Sequence, residues 1–217
     1  MNATISEIFA LSILIPAAIA LVRFNDVDRS FYPFFVLLWI GALNEVLSVV
    51  LLSLGYPTLI NNNIYVLGEA LSILWFFRNV GAEFLKKSIL LLLAISFIIF
   101  WLVENFIIGT ITQISSYFRI YYSFVVVILS ITTVNHQIVS ITKSLLKLPL
   151  FLITIGFIIY FTYKILVEAF WVYGLNNSRQ FQQNVYAIMM YLNLFVNLLF
   201  ALAVLWIPRK REFILLS

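Results

Sequence analysis

The sequence predicts an all-α, polytopic membrane protein, a bundle of seven transmembrane helices with the N-terminus outside and the C-terminus in the cytoplasm. Three observations predict it. Of 217 residues, 64% are hydrophobic and only 10% charged, where a soluble domain carries about half and about a quarter. The chain divides into seven apolar stretches of about 20 residues, the length that crosses a bilayer. The bases gather in alternate connections, as the positive-inside rule requires.

A soluble fold of this size buries roughly 70% of its unfolded surface and still requires a polar exterior. Nine acids and thirteen bases cannot supply one, so the exterior faces lipid. The net charge of +4 comes from bases scattered through short connections; they form no stripe for nucleic acid. Cysteine is absent, which excludes disulfides, thiolate nucleophiles and thiolate metal ligands.

One transmembrane domain spans 1–217. Its first segment, about 5–24, holds Glu7 and no base before Arg23. A cleaved signal peptide starts basic, so this segment is expected to be a retained helix that enters from outside. The second, about 31–56, follows Asp26 and Asp28; the third, about 64–81, follows a break at Pro57 and the run Asn61, Asn62, Asn63. The fourth and fifth are expected at about 88–109 and 120–142, the sixth at about 148–174, opened by Pro149, and the seventh at about 185–207. Short connections make sequence neighbours antiparallel. Nothing is left over for a soluble domain.

Arg23, Arg29, Arg78, Lys86, Lys87, Lys143, Lys147, Arg209, Lys210 and Arg211 would lie on one side, and only Arg119 and Arg179 on the other. That bias alternates correctly only for seven helices and sets the C-terminus inside. Tyr32, Tyr56, Tyr65, Tyr121, Tyr122, Tyr173, Tyr186 and Trp206 fall near the proposed interfaces, where amphipathic rings settle.

Against that apolar background the intramembrane charges stand out, since an ionised group near a helix centre costs about 2.5–3.5 kcal/mol. At 1.5 Å per residue from each segment's midpoint, Glu45 lies near the bilayer centre. Glu69 is roughly 6 Å outward, Lys164 roughly 5 Å, Glu104 roughly 9 Å and Glu168 roughly 10 Å. Asn193 and Asn197 in the seventh segment fall near the middle. Their common depth points to one outward-facing polar chamber formed by Glu45, Glu69, Glu104, Lys164, Glu168, Asn193 and Asn197, binding a small ligand or cation.

Helical spacing puts Tyr160, Lys164, Glu168 and Trp171 on one face and Tyr65, Glu69 and Ser72 on another. Lys164 is expected to pair with a carboxylate, Glu168 being nearest in sequence and Glu45 or Glu69 reachable across the bundle. Four carboxylates against one lysine leave an excess of acid, to be protonated, hydrated or paired with something else. The alternative to a binding site is a set of structural interhelical contacts. His136, toward the cytoplasm, is a candidate proton relay or simply a hydrogen-bonding core residue.

One histidine and no cysteine exclude histidine-rich zinc sites, and no P-loop, dinucleotide fingerprint or nucleophile elbow occurs. No cofactor and no metal is predicted, although carboxylates could hold a divalent cation. Asn61-Asn62-Asn63-Ile64-Tyr65 followed by Glu69, and later Pro149, Phe151, Gly156 and Tyr160, resemble a loose family of bacterial seven-helix membrane proteins without known activity. That resemblance implies the seven-helix fold and no activity. The expected function is a sensor or receptor-like module of the bacterial cytoplasmic membrane. With ten residues after Ile207, it would signal through a protein partner. The alternatives are a small-solute or ion-coupled carrier, then a membrane-embedded enzyme or assembly subunit.

Overall fold

A computed structural model describes residues 9, 11–81, 85–140, 145–173 and 178–209. Glu7, Lys143, Lys210 and Arg211, and the side chains of Arg179 and Tyr186, lie outside the described residues.

The described chain is all-α, with seven α-helices. They are α1 (Leu14–Arg23), α2 (Tyr32–Ser53), α3 (Leu59–Val80), α4 (Lys87–Val103), α5 (Ser116–Ser140), α6 (Pro149–Val172) and α7 (Arg179–Trp206). Five stretches among the described residues are long and apolar enough to cross a membrane: Arg29–Ser53, Lys87–Ile108, Ser116–Val139, Pro149–Val172 and Ala187–Trp206. The protein is thus a multi-pass membrane protein. Its outer surface agrees, with Leu21, Val22, Leu43, Leu91, Leu92 and Ile107 all more than 60% exposed, an arrangement that suits lipid and not water.

Helix ends follow local chemistry. Asp28 accepts a hydrogen bond from the Ser30 amide at 2.8 Å as the chain turns into α2, and Ser178 caps α7 by accepting from the Phe181 amide. Pro33 and Pro149 occupy first-turn positions, where no amide proton is needed. At the end of α2, Gly55 takes φ +78°. Its amide donates to Leu52 O and that of Tyr56 donates to Leu51 O, the paired bonds of a Schellman turn that glycine makes without strain.

Three helices begin earlier than the sequence pattern places them. The three asparagines are not a break: α3 starts at Leu59 and runs through them, because their side chains find partners. Asn61 donates to Asn44 Oδ1 at 2.9 Å, and Asn63 donates to the carbonyls of Ile111 and Gln113. Helix α5 starts at Ser116 and α7 at Arg179, both before the apolar run, since a side-chain acceptor waits at each N-terminus. Helix α4 does not end cleanly; Glu104–Ile108 continues it as a π-turn, closed by the Gly109 amide donating to Glu104 O at 2.9 Å.

The helices form a ring in which α1 touches α2 and α7, α7 packs on α6, α6 on α5, and α5 on α3 and α4. Helix α3 is amphipathic in reverse: Asn63, Glu69 and Ser72 are buried while Ile60, Ile64 and Trp75 are exposed. Its polar stripe therefore lines the interior of the ring. Between that stripe and the end carrying Arg23 and Arg209 lies an aromatic plug. Phe34 meets Phe200 edge-on at 5.2 Å, and Phe157 meets Phe76 at 6.0 Å and Phe200 at 5.6 Å. At the same end Arg23 donates to the carbonyls of Val204, Leu205 and Ile207, satisfying the open C-terminus of α7.

Close approach of α6 to α7 rests on Gly156. A Cβ there would stand 2.5 Å from Phe200 Cε1 and 3.3 Å from Leu199 Cδ2, and the ring it meets is wedged in the plug. Gly156→Ala is expected to lower stability by about 1–3 kcal/mol, read as an earlier thermal unfolding of purified protein followed by tryptophan fluorescence. An unchanged midpoint would mean the plug is loose.

Candidate functional site

Glu69 is the centre of the interior polar group. It sits midway along α3, 5% exposed, and its carboxylate is fully engaged. Lys164 Nζ, from α6, pairs with Oε2 at 3.0 Å. Tyr65, one turn earlier on α3, donates its hydroxyl to Oε1 at 3.0 Å, and Tyr122 of α5 donates to Oε2. Lys164 also donates to the Tyr122 hydroxyl and lies 5.0 Å from that ring's centroid, with Tyr160 and Phe161 at 5.5 Å. The ammonium is thus held by one carboxylate and three aromatic faces, the setting a buried cation requires.

A second polar group lies one turn further along α6. Glu168 accepts from Ser116 Oγ at 2.6 Å and pairs with Arg119 at 3.4 Å. Arg119 also donates to Asn63 Oδ1 at 3.4 Å. Asn63 is completely buried, and its own carbonyl accepts from the Trp101 indole at 2.8 Å. Glu104, presented by the π-turn, caps α5: its two oxygens accept from the amides of Tyr117 and Phe118. A carboxylate at a helix N-terminus meets both free amides and the positive end of the dipole.

Pairing and capping therefore account for Glu168 and Glu104. Arg119, which the sequence pattern counts as a loop base, lies one turn inside α5 and neutralises Glu168, while backbone amides receive Glu104. Glu45 is the exception. It is half-buried, within electrostatic range of Glu69, Tyr65 and Tyr160, and makes no ion pair with a described residue.

A cavity of about 50 Å³ adjoins the Glu69 group, room for about three waters. Its polar wall is Tyr65, Glu69, Tyr160, Asn193 and Asn197, and Phe157 and Phe200 of the plug close it on one side. Asn197 donates to Ser12 Oγ at 2.8 Å and to Asn193 Oδ1 at 3.4 Å, which ties α7 to the segment before α1. No family model, curated protein or solved structure matches the chain. Its chemistry is accordingly read from this geometry alone.

The structure brings Glu69, Asn193 and Asn197 to the cavity and sets Lys164 directly behind Glu69. Glu104 and Glu168 turn away to the ring's other polar group, so the predicted seven residues do not share one chamber. Among the described residues no three metal-capable side chains gather. Lys164 pairs across the bundle with Glu69 and not along its own helix with Glu168, because Arg119 and Ser116 already hold Glu168. His136 is half-buried on α5. Three residues escaped sequence reasoning: Arg119, Ser116 and Tyr122. Tyr122 resembled an interfacial ring by position but is wholly buried. Its spacing from Arg119, less than one turn on α5, was the available signal that a polar stripe runs there.

Removing one member of the pair leaves the other charged and unsolvated. Glu69→Gln and Lys164→Met are each expected to cost about 3–5 kcal/mol, and the double variant much less than their sum, measured as unfolding midpoints in detergent. Additive losses would show that the two groups act independently.

Proposed function

We propose that this is a seven-span protein of the bacterial cytoplasmic membrane, N-terminus outside and C-terminus inside, that binds a small ligand or ion at the Glu69 cavity. In this reading it acts as a sensor or receptor-like module through a partner protein. The observation that carries the binding reading is the cavity itself. The carboxylate of a buried ion pair and two asparagines face one small space, whereas purely structural polar contacts close on each other. The aromatic plug of Phe34, Phe76, Phe157 and Phe200 favours a sensor over a carrier, because it blocks the way from the cavity toward the basic end. Orientation is supported by the gathering of Arg29, Arg78 and Lys87 at one groove and by the contact of Arg23 and Val27 with the end of α7 near Arg209. Helix α3 counts as a span in this reading, its 22 residues reaching about 33 Å with apolar residues outward.

Orientation is tested by fusing alkaline phosphatase, active only when exported, after residue 209 or at the chain end. The expected result is an inactive fusion, with a cytoplasmic fluorescent fusion bright at the same place. Active phosphatase would overturn the topology.

Binding is tested by thermal shift of the purified protein against monovalent cations, divalent cations and small zwitterionic solutes. One class is expected to raise the midpoint of the natural protein, and Tyr160→Phe or Asn193→Leu to abolish the shift while leaving the unliganded midpoint within about 1 kcal/mol of unfolding free energy. Equal shifts in the natural protein and both variants would sink the site. Uptake of the same solute into proteoliposomes would favour the carrier instead.

A further inference from the structure

Away from the interior, the basic end of α3 and α4 carries a continuous surface groove with two chemistries. One part, of about 580 Å³, is walled by Arg29, Arg78, Lys87 and Asn79; it shares Trp75, Arg78 and Lys87 with a second part of about 340 Å³. That second part is walled by Leu71, Leu74, Leu90, Leu91 and Ala94. We propose that this groove is a binding site for an anionic glycerophospholipid of the bilayer's basic-side leaflet, the phosphate on the three bases and an acyl chain along the leucines.

The vertical order of the residues carries the argument. Arg29 and Lys87 are the first residues of two membrane-crossing stretches, so they stand at headgroup level. Leu71 and Leu74 precede Arg78 on α3, and Leu90, Leu91 and Ala94 follow Lys87 on α4. At 1.5 Å per residue the aliphatic wall reaches about 10 Å deeper than the bases, as an acyl chain does below its phosphate. Trp75, 46% exposed, sits between them at the depth where indoles favour the interface. Arg29, Arg78 and Lys87 are exposed, and no described carboxylate pairs with any of them. Among the described residues nothing competes for their charge with a ligand that arrives laterally. Among the described residues the first turn of α4 has neither a side-chain cap nor an acid, so the positive end of its dipole favours an anion at the same place. Three bases around one phosphate exceed the neutrality of a zwitterionic headgroup and match an anionic one.

The site is independent of the Glu69 cavity, so the two readings fail separately. The test reconstitutes the protein into phosphatidylcholine vesicles containing increasing fractions of phosphatidylglycerol with dibrominated acyl chains, which quench nearby tryptophans. Quenching by the anionic lipid is expected to exceed that by equally brominated phosphatidylcholine. Arg78→Gln/Lys87→Gln should lower the preference about fivefold per base lost, while Lys147→Gln leaves it unchanged. Trp75→Phe should remove the selective component, which keeps the test decisive even where the double variant folds poorly. Equal quenching by both lipids, selectivity that survives Trp75→Phe, or release of the lipid effect by inorganic phosphate alone would overturn the proposal.

Discussion

Pairing of Glu69 with Lys164 is the constraint around which the rest is arranged. Two charges 3.0 Å apart in the middle of an apolar bundle are tolerable only with every other donor and acceptor satisfied. Tyr65 donates to the other carboxylate oxygen and Tyr122 to the one that Lys164 holds, and three rings surround the ammonium. That requirement fixes the register of α3, α5 and α6 together, since sliding any one by a residue would strand a charge. The pair alone is weak support for stability, but it specifies a single arrangement of three helices whose apolar residues could pack in many.

The neighbouring polar group has a different character. Glu104 and Glu168 are consumed by a helix N-terminus and by Arg119, and Asn63 links α3 to the loop before α5 through the carbonyls of Ile111 and Gln113. These contacts tie the segment between α4 and α5 to the bundle. The π-turn at Glu104–Ile108 belongs to this device. Glu104 is still positioned by the α-helix before it, its amide donating to Phe100 O, and the extra residue of the turn re-aims the chain that follows toward α5.

Function follows from what is left unconsumed. Both polar groups border free space, about 50 Å³ at Glu69 and about 350 Å³ at Glu104 and Ser116, but Glu104 is already satisfied by the amides of α5, and the Glu69 space is small and polar on one wall. A site of this size suits an ion, waters or a compact group entering from one end, and is far below the several hundred Å³ of a drug-sized pocket. The basic groove on the outside of α3 and α4 is separate in place and chemistry, because it lies away from the interior and none of its bases forms an ion pair among the described residues.

The sequence by itself determined the class of solvent, the helical architecture and the identity of the costly residues. Those follow from composition, from apolar run length and from the price of burying charge, all of which are local quantities. It also gave the Tyr65–Glu69 face and the demand that Lys164 be paired. What only the tertiary structure decided is who pairs with whom. Glu69 and Glu168 are equally acidic in sequence, and the choice between them depends on Arg119 and Ser116 arriving from α5, a contact 49 residues away for Arg119. The asparagine run looked like a helix break because free asparagine favours turns, yet α3 runs through it once Asn44, Ile111 and Gln113 supply partners. Helix starts at Ser116 and Arg179 were hidden for a related reason: hydropathy marks where a helix enters lipid, whereas its first turn is fixed by whichever acceptor the fold delivers to its free amides.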